Sequence, residues 1–346
     1  MSNSQKKALI VSPYLDHLGG GERYMLSVAA VLESLGHTIY FGWDNLEEIG
    51  TLSAMLGITL TKPLLDPKIR SLYHSSNPLA MFSATRPYDV VVYLSDGSLP
   101  LLGGKNNIVH MQVPFHNVGG KSWKNALKKN CIHAVIVNSR FTKDVVDQEY
   151  GIRSIVVYPP VATIDTHQPK ENSILSVGRF EPSLNAKKQD VLLKAWRQLS
   201  SQLPGWRLVL AGACGSDAWL AQLRQLAADL PVDFYPNIAH ADLSNLYSRA
   251  RIYWHAAGYG IDEVKNPELT EHFGITTVEA ISAHCIPLVV PYGGQKEIVT
   301  DSQFHWETME ELVSKTINLA SMKSEYQSDI TKYSRDNFES QLKQLL

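Results

Sequence analysis

A strand, a helix and a second strand are predicted within residues 174–211, ILSVGRFEPSLNAKKQDVLLKAWRQLSSQLPGWRLVLA. Residues 174–177 and 207–211 are short, mostly apolar runs of the kind that form buried strands. Residues 189–199 instead place their apolar side chains at helical spacing. Because a helix separates the two runs, they are predicted to pair in parallel through a helical crossover, as in the βαβ unit of doubly wound sheets.

The same alternation extends in both directions along the chain. Towards the C-terminus, strands are predicted at 233–235, 252–255 and 287–290, with helices at 218–228, 243–249 and 277–282. Towards the N-terminus, strands are predicted at 8–11, 38–42, 89–94, 108–111, 134–137 and 154–158, with a helix at 22–35. We therefore predict an α/β fold of two Rossmann-like, doubly wound domains. Their bounds are residues 1–158, a proline-bearing linker over 159–172, residues 173–325, and a C-terminal helix over 326–346 that packs back toward the N-terminal domain.

Composition excludes several classes of protein. With 44% apolar and 19% charged residues, the 346-residue chain is ordinary globular material, long enough for two cores. A net charge of −2 gives no sign of bulk nucleic-acid binding. Three scattered cysteines argue against a disulfide framework and for a reducing compartment. No apolar run approaches the roughly 18 residues of a membrane span, so we expect a cytoplasmic protein.

The strongest chemical signal is residues 271–279, EHFGITTVE, in which two glutamates flank a glycine that opens a helix. A helix N-terminus suits a phosphate group, and Gly274 lets a ligand approach the backbone closely. Carboxylates accept hydrogen bonds from sugar hydroxyls, which gives Glu271 and Glu279 a role in sugar binding. The alternative is a capping box, in which Thr276 and Glu279 only satisfy the backbone at the start of the helix.

Two cations are expected at the same edge of the sheet. Arg179 follows a predicted strand, and Lys187 precedes a predicted helix. Fixed cations stabilise the negative charge that develops on a diphosphate leaving group. Arginine offers a planar fork to phosphate oxygens, and lysine offers a compact charge. The alternative is a solvated basic loop.

The nonapeptide resembles a motif of known enzymes. Followed by PLVV at 287–290 and GGQKEIV at 293–299, it resembles the E-x7-E region of retaining glycosyltransferase family 4. Similar pieces occur in the family's order, namely GGGE at 19–22, NSRFT at 138–142, YPPV at 158–161, LSVGRF at 175–180 and KKQDVLLKA at 187–195. The resemblance spans about residues 8–300. In style the motifs are most similar to lipid-linked-oligosaccharide mannosyltransferase-like members.

The resemblance implies the GT-B architecture, with two Rossmann-like domains facing a central cleft. It implies metal-independent, retaining transfer of a hexosyl unit from a GDP- or UDP-sugar to a hydroxyl of a lipid-linked or growing glycan. The nucleotide sugar is then the donor substrate, and no separate cofactor is expected. On the donor side the expected residues are Arg179, Lys187, Gly274, Ile275, Thr276, Glu279, Gly20 and Gly21, with Glu271 contacting the sugar and Glu279 the ribose. Lys188 and His284 stand where the family usually has glycine.

The family's usual cleft histidine is missing after the strand at 89–94, where the chain reads Ser-Asp-Gly with Asp96 in the middle. The next strand carries His110. Either residue could hydrogen-bond the donor sugar or the incoming hydroxyl, so Glu271, His110 and Asp96 are the catalytic candidates. A lone histidine in an apolar strand is also typical of a core residue.

Residues 121–129, KSWKNALKK, place Trp123 and Leu127 one helical turn apart among lysines. This pattern predicts a cationic amphipathic helix that lies on anionic lipid. Residues 1–158 carry 15 basic against 12 acidic residues, which favours the same partner. The alternative is an ordinary surface helix whose apolar face packs on the sheet.

The sequence also agrees with two other functions. A non-hydrolysing nucleotide-sugar epimerase would share the fold and the diphosphate site, although the glutamate pair argues against it. A sugar-nucleotide-binding protein that lacks catalysis would agree with the missing histidine and with His284.

Overall fold

The computed structural model describes residues 5–16, 19–73, 75, 77–164, 168–182, 187–322 and 326–346. The chain divides into two compact units, one formed by Met1–Pro160 with Arg335–Leu346 and the other by Val161–Ser334. Part of the predicted linker (165–167) and the predicted end of the second domain (residue 325) lie outside the described residues.

The N-terminal unit is built on a parallel sheet in the order β3-β2-β1-β4-β5-β6-β7. The strands are β1 (Lys7–Val11), β2 (Thr38–Phe41), β3 (Leu64–Leu65), β4 (Val90–Leu94), β5 (Asn106–Met111), β6 (Ala134–Val137) and β7 (Ile155–Val156). The helices are α1 (Gly20–Ser34), α2 (Leu46–Met55), α3 (Pro67–Tyr73), α4 (Pro78–Thr85), α5 (Trp123–Lys129) and α6 (Arg140–Tyr150). All five residues of β4 are buried, as expected for a strand in a sheet that is covered on both faces.

The C-terminal unit holds a parallel sheet in the order β10-β9-β8-β11-β12. Its strands are β8 (Glu171–Val177), β9 (Arg207–Gly212), β10 (Val232–Pro236), β11 (Ala250–His255) and β12 (Ile286–Val289). Its helices are α7 (Gln189–Leu199), α8 (Asp217–Leu226), α9 (His240–Arg249), α10 (Ile275–Ser282), α11 (Gln295–Ile298) and α12 (Met309–Ser321). The strand order reverses between β8 and β11, and ligands of open α/β sheets bind beyond the carboxyl ends of strands at such a point.

The last helix is shorter than the sequence predicted. A helix was expected over 326–346, whereas α13 covers Arg335–Lys343 and follows a short 3-10 turn at Thr331–Tyr333. Phe338 of α13 is buried edge-on against Tyr24 of α1, with ring centroids 5.3 Å apart. This segment therefore belongs to the core of the N-terminal unit, although the whole C-terminal unit (Val161–Ser334) separates it from the rest of that unit in the sequence.

His110 of β5 lies in the same core and is fully buried. Its ring stacks on Tyr24 at 3.8 Å, and its Nδ1 lies 3.3 Å from the carbonyl oxygen of Ile136. Its Nε2 has no partner among the described residues. Burial lowers the pKa of His110 to about 3, because a proton on Nε2 would be left without an acceptor. The structure thus gives His110 the surroundings of a core residue.

This burial predicts a dependence of stability on pH. Between pH 6.5 and about 3, the unfolded chain binds a proton at His110 that the folded chain does not, so the free energy of unfolding falls as the pH is lowered. His110→Phe should lower the slope of the free energy of unfolding against pH by up to about 1.4 kcal/mol per pH unit. Urea unfolding at pH 7, 6 and 5 measures it. The same substitution at the exposed His133 is the control, and equal slopes for the two variants would contradict the prediction.

Candidate active site

Three side chains meet beyond the carboxyl ends of β8 and β11. The Lys187 Nζ lies 2.5 Å from the Glu271 Oε2, and the His255 Nε2 lies 2.7 Å from the same oxygen. The side chains are 17% (Lys187), 10% (Glu271) and 3% (His255) exposed. Lys187 comes from the turn before α7, Glu271 from the segment before α10, and His255 from the last position of β11. The structure therefore brings together two predicted residues and one that the sequence analysis missed.

Glycines make the approach of Lys187 possible. A Cβ atom at Gly178 would lie 2.4 Å from the Cγ of Lys187, so the lysine stem passes directly over this residue. A Cβ atom at Gly212 would lie 2.3 Å from the carbonyl oxygen of Gly178, and Gly212 has φ +147°. A larger residue at Gly178 would force the Lys187 side chain to shift, and one at Gly212 would force the backbone of Gly178 to shift.

Burial and the neighbouring groups shift the pKa values of Glu271 and His255. Burial alone would raise the pKa of Glu271, but the charge of Lys187 and the hydrogen bond from His255 hold that pKa well below its usual value. Burial lowers the pKa of His255, which is therefore neutral and donates its Nε2–H. The Nδ1 of His255 has no partner among the described residues.

The arrangement leaves one carboxylate oxygen of Glu271 available. Both donors reach Oε2, whereas Oε1 accepts no hydrogen bond from the part of the chain that the structure describes. An ionised carboxylate has lone pairs on both oxygens. This oxygen can accept a hydrogen bond from a hydroxyl group of a ligand.

The N-terminus of α10 begins beside this cluster. Gly274 is its N-cap residue, with φ +115° and no side chain hydrogen-bonded to the helix end. A Cβ atom there would lie 2.6 Å from the Nε2 of Gln295, so both the backbone angle and the space require glycine. The first turn, which includes Ile275 and Thr276, therefore presents N–H groups and the positive end of an eight-residue helix.

The capping-box interpretation of Glu279 is wrong. The helix starts at Ile275, which makes Glu279 the fifth helical residue and places Thr276 inside the helix. The Oε2 of Glu279 instead accepts a hydrogen bond from the hydroxyl of Tyr247, at 3.0 Å. Glu279 is thus held by a side chain from α9 and has no capping role.

Arg179 is exposed and makes no ion pair with the residues that the structure describes. Its backbone is fixed, because the Nε2 of Gln189 donates to its carbonyl oxygen at 2.8 Å. Lys188 and His284, which stand at glycine positions of the resembled family, have φ +53° and +58°. These are left-handed backbone positions, which explains why glycine suits them.

The remaining candidates lie in the N-terminal unit. Asp96 follows β4, is exposed, and accepts hydrogen bonds from the backbone N–H and the hydroxyl of Ser98. Gly20 and Gly21 open α1 after β1, and a Cβ atom at Gly21 would lie 2.5 Å from the side-chain amide of Gln112. His110 lies in the core, as described above.

No group of three or more His, Cys, Asp or Glu side chains in the described ranges is arranged to hold a metal ion. Nor does any helix within those ranges have both the length and the apolar character needed to cross a membrane.

Comparison with solved structures identifies the fold. A glycosyltransferase from Rickettsia africae ESF-5 superposes with a TM-score of 0.69 at 18% identity, over 99% of this chain and 94% of the other. TarM gives 0.70 at 12% identity, over 99% of both chains. WaaG, a glycosyltransferase involved in lipopolysaccharide biosynthesis, gives 0.63 at 15% identity, over 91% and 90%. These similarities and the two parallel sheets confirm the predicted α/β architecture of two Rossmann-like domains, the GT-B fold.

Comparison of sequences identifies the family. A GDP-Man:Man(3)GlcNAc(2)-PP-Dol alpha-1,2-mannosyltransferase of Xenopus laevis is 32% identical over 187 residues, which are 48% of this chain and 36% of the relative. The relative of that name from Homo sapiens is 30% identical over 234 residues, 60% of this chain and 45% of the relative. The matched part of this chain thus spans less than half the length of these relatives. The family model for glycosyl transferases group 1 matches residues 163–337, half of the chain, and the protein therefore belongs to that family.

Proposed function

We propose that this protein is a retaining hexosyltransferase that uses a nucleotide diphosphate sugar as donor. The observation that carries the proposal is the Glu271 carboxylate, fixed through one oxygen by Lys187 and His255 beside the uncapped start of α10. Membership of the group 1 glycosyl transferases supports it. The names of the curated relatives specify GDP-Man and a dolichol-linked oligosaccharide, so GDP-mannose and a lipid-linked glycan are the first pair to test.

The cations of the chain would stabilise the leaving group. Negative charge develops on the diphosphate as the bond from the sugar breaks, and fixed positive groups lower the energy of that state. Arg179 is free to turn towards phosphate oxygens, Lys187 is held nearby, and α10 adds its N–H groups. On this basis we propose a metal-independent reaction of the family 4 type, with the same rate when a chelator is present.

Glu271 is assigned to the donor sugar. Its Oε2 already accepts two hydrogen bonds, which makes this oxygen a poor nucleophile, and its Oε1 can accept a sugar hydroxyl. Retention is then achieved by attack on the same face. The acceptor oxygen bonds to the anomeric carbon as the bond to the phosphate oxygen breaks, and the acceptor proton passes to that phosphate. Glu279 is assigned to the ribose.

A panel of nucleotide sugars tests the reaction. Wild-type protein is incubated with GDP-mannose, UDP-glucose and UDP-N-acetylglucosamine, with and without a lipid-linked glycan. Transfer or slow donor hydrolysis is expected, and Arg179→Ala should lower kcat/KM by about 100-fold, since one charge contact to the leaving group is worth roughly 3 kcal/mol. An isomerised sugar would indicate an epimerase, and binding without turnover an inactive protein. Lys194→Ala, at an exposed cation of α7, is the control.

The two glutamates should have separable roles. Glu279→Gln should weaken binding of the bare nucleoside diphosphate by about 10- to 100-fold, because a carboxylate–hydroxyl bond is worth about 1.5–3 kcal/mol. Glu271→Gln should not weaken that binding, because its partner is the sugar, yet it should severely reduce turnover of the intact donor. Calorimetric titration and initial rates measure both effects. If Glu271→Gln loses as much nucleotide affinity as Glu279→Gln, the assignment is wrong.

A membrane surface is the second proposed partner, and the exposed side chains of α5 support this proposal. Trp123 is 70% exposed and Leu127 is 60% exposed, so α5 does not bury its apolar face on the sheet and the alternative interpretation is wrong. Lys128 donates to the carbonyl oxygen of Leu99 at 2.6 Å, and Lys129 donates to that of Tyr150. Those two lysines anchor the helix, which leaves Lys121 and Lys124 beside the exposed apolar side chains.

We propose that this patch (Lys121, Trp123, Lys124 and Leu127) holds the protein peripherally on the cytoplasmic face of an anionic membrane. Exposed aromatic and aliphatic side chains beside lysines match the boundary between lipid headgroups and acyl chains. Each lysine near such a surface contributes about 1 kcal/mol of attraction. The location would bring the enzyme to a lipid-linked acceptor.

Vesicle sedimentation tests the patch. Lys121→Gln with Lys124→Gln should weaken binding to phosphatidylserine-containing vesicles by about 30-fold, from the loss of roughly 2 kcal/mol. The effect should disappear at high salt. The exposed pair Lys62→Gln with Lys68→Gln changes the net charge equally and is the matched control. Equal loss in both double variants, or equal binding to neutral vesicles, would contradict the proposal.

A further inference from the structure

Three buried aromatic side chains, which we name the aromatic row, lie behind the segment that contains the two glutamates. The row consists of Tyr247, Tyr253 and His255. The ring centroids are 6.2 Å apart for Tyr247 and Tyr253, and 6.5 Å apart for Tyr253 and His255.

Each polar tip of the row contacts a different residue of that segment. The hydroxyl of Tyr247 lies 3.0 Å from the Oε2 of Glu279. The hydroxyl of Tyr253 lies 2.8 Å from the Oγ1 of Thr276. His255 donates to Glu271, as described for the site. The three hydrogen bonds therefore cover the start, the middle and the end of residues 271–279.

Two members of the row lie on an interior strand of the C-terminal sheet. Tyr253 and His255 are two residues apart on β11 and so point to the same face of the sheet. β11 is an interior strand that pairs with β8 on one side and β12 on the other. Tyr247 extends the row from α9. A fixed sheet thus holds a segment that is otherwise connected through a 3-10 turn and loops at 256–274.

Each member of the row has a proton that it can donate to the segment. Burial raises the pKa of Tyr247 and of Tyr253, so both hydroxyls keep their protons. His255 is neutral and offers one N–H. None of the three side chains is accessible, so they act only through the residues that they contact.

We propose that the aromatic row consists of positioning residues, each of which sets one function of the donor-binding segment. His255 orients the carboxylate that binds the sugar, Tyr247 orients the carboxylate that binds the ribose, and Tyr253 fixes the first turn of α10 through Thr276. The inference rests on the proposed function for the roles of Glu271 and Glu279. It adds that losing one polar atom of the row changes one kinetic parameter, whereas a merely structural row would change stability alone.

The test removes single polar atoms. Tyr247→Phe should weaken binding of the nucleoside diphosphate by about 3- to 10-fold, because that is the loss expected for one hydrogen bond from a neutral donor. It should change kcat little. His255→Leu should lower kcat for the intact donor by at least about 10-fold and leave nucleotide affinity within about 2-fold. His255→Gln keeps an N–H near the position of Nε2 and should restore most of that rate.

The control is Tyr88→Phe, because the hydroxyl of Tyr88 also donates to a carboxylate, that of Asp66, at 2.7 Å in the N-terminal unit. It should lose as much thermal stability as Tyr247→Phe and keep its nucleotide affinity and rate. If Tyr247→Phe behaves like this control, or if His255→Gln is as slow as His255→Leu, the row is structural and the inference is wrong.

Comparison with the glutamate variants distinguishes failure of the proposed role of the aromatic row from failure of the proposed ribose site. If Glu279→Gln weakens nucleotide binding and Tyr247→Phe does not, only the inference is overturned. If Glu279→Gln itself leaves nucleotide binding unchanged, the assignment of the ribose site is overturned and the inference falls with it. A weaker nucleotide complex in both variants, with the larger loss in Glu279→Gln, supports both.

Discussion

The site depends on the buried ion pair between Lys187 and Glu271. A buried carboxylate without a partner costs several kcal/mol, so the two charges stabilise the fold only if they meet with good geometry. Lys187 arrives from the turn before α7 and Glu271 from the segment before α10, which are 84 residues apart in sequence. His255 adds a third contact from β11. Three separate segments must therefore be placed correctly by the sheet before the pair can form, and the geometry of the candidate site follows from that requirement.

The same requirement explains the glycines around the pair. Gly178 lets the lysine stem pass over it, and Gly212 lets the end of β9 pack on the backbone of Gly178. At Gly293 a Cβ atom would lie 2.1 Å from the carbonyl oxygen of Glu271, and the N–H of Gly294 donates to that oxygen at 2.7 Å. The turn before α11 therefore packs directly on the backbone of the glutamate. Glycine is therefore needed at Gly178, in the GRF stretch, and at Gly293 and Gly294, in the GG stretch. At each position another segment occupies the place of a side chain.

Local patterns predicted the regular elements well and the contacts between them poorly. The helix expected at 189–199 and the strand expected at 207–211 are found at Gln189–Leu199 and Arg207–Gly212, because strong periodicity reflects burial directly. The two-residue edge strand β3 was missed, because it is too short to show any period. Thr276 and Glu279 have the spacing of a capping box. The prediction is wrong because the helix begins at Ile275, after a glycine N-cap, so that Thr276 lies inside the helix. His255 and Tyr247 lie 16 and 32 residues from the glutamates that they contact, a relation that no local motif carries, although the position of His255 at a strand end was a usable signal.

The two departures from the resembled family concern the backbone rather than the site. Lys188 and His284 stand at left-handed positions, where a side chain costs about 1 kcal/mol relative to glycine. His284 is exposed, so its imidazole adds no bulk to the interior behind α10. Lys188 is the N-cap residue of α7, and its side chain makes no capping bond. Neither substitution introduces a group between Lys187 and Glu271 or between Tyr247 and Glu279. The physical cost of these departures therefore falls on the stability of two turns, and the side chains of the proposed donor site keep their arrangement.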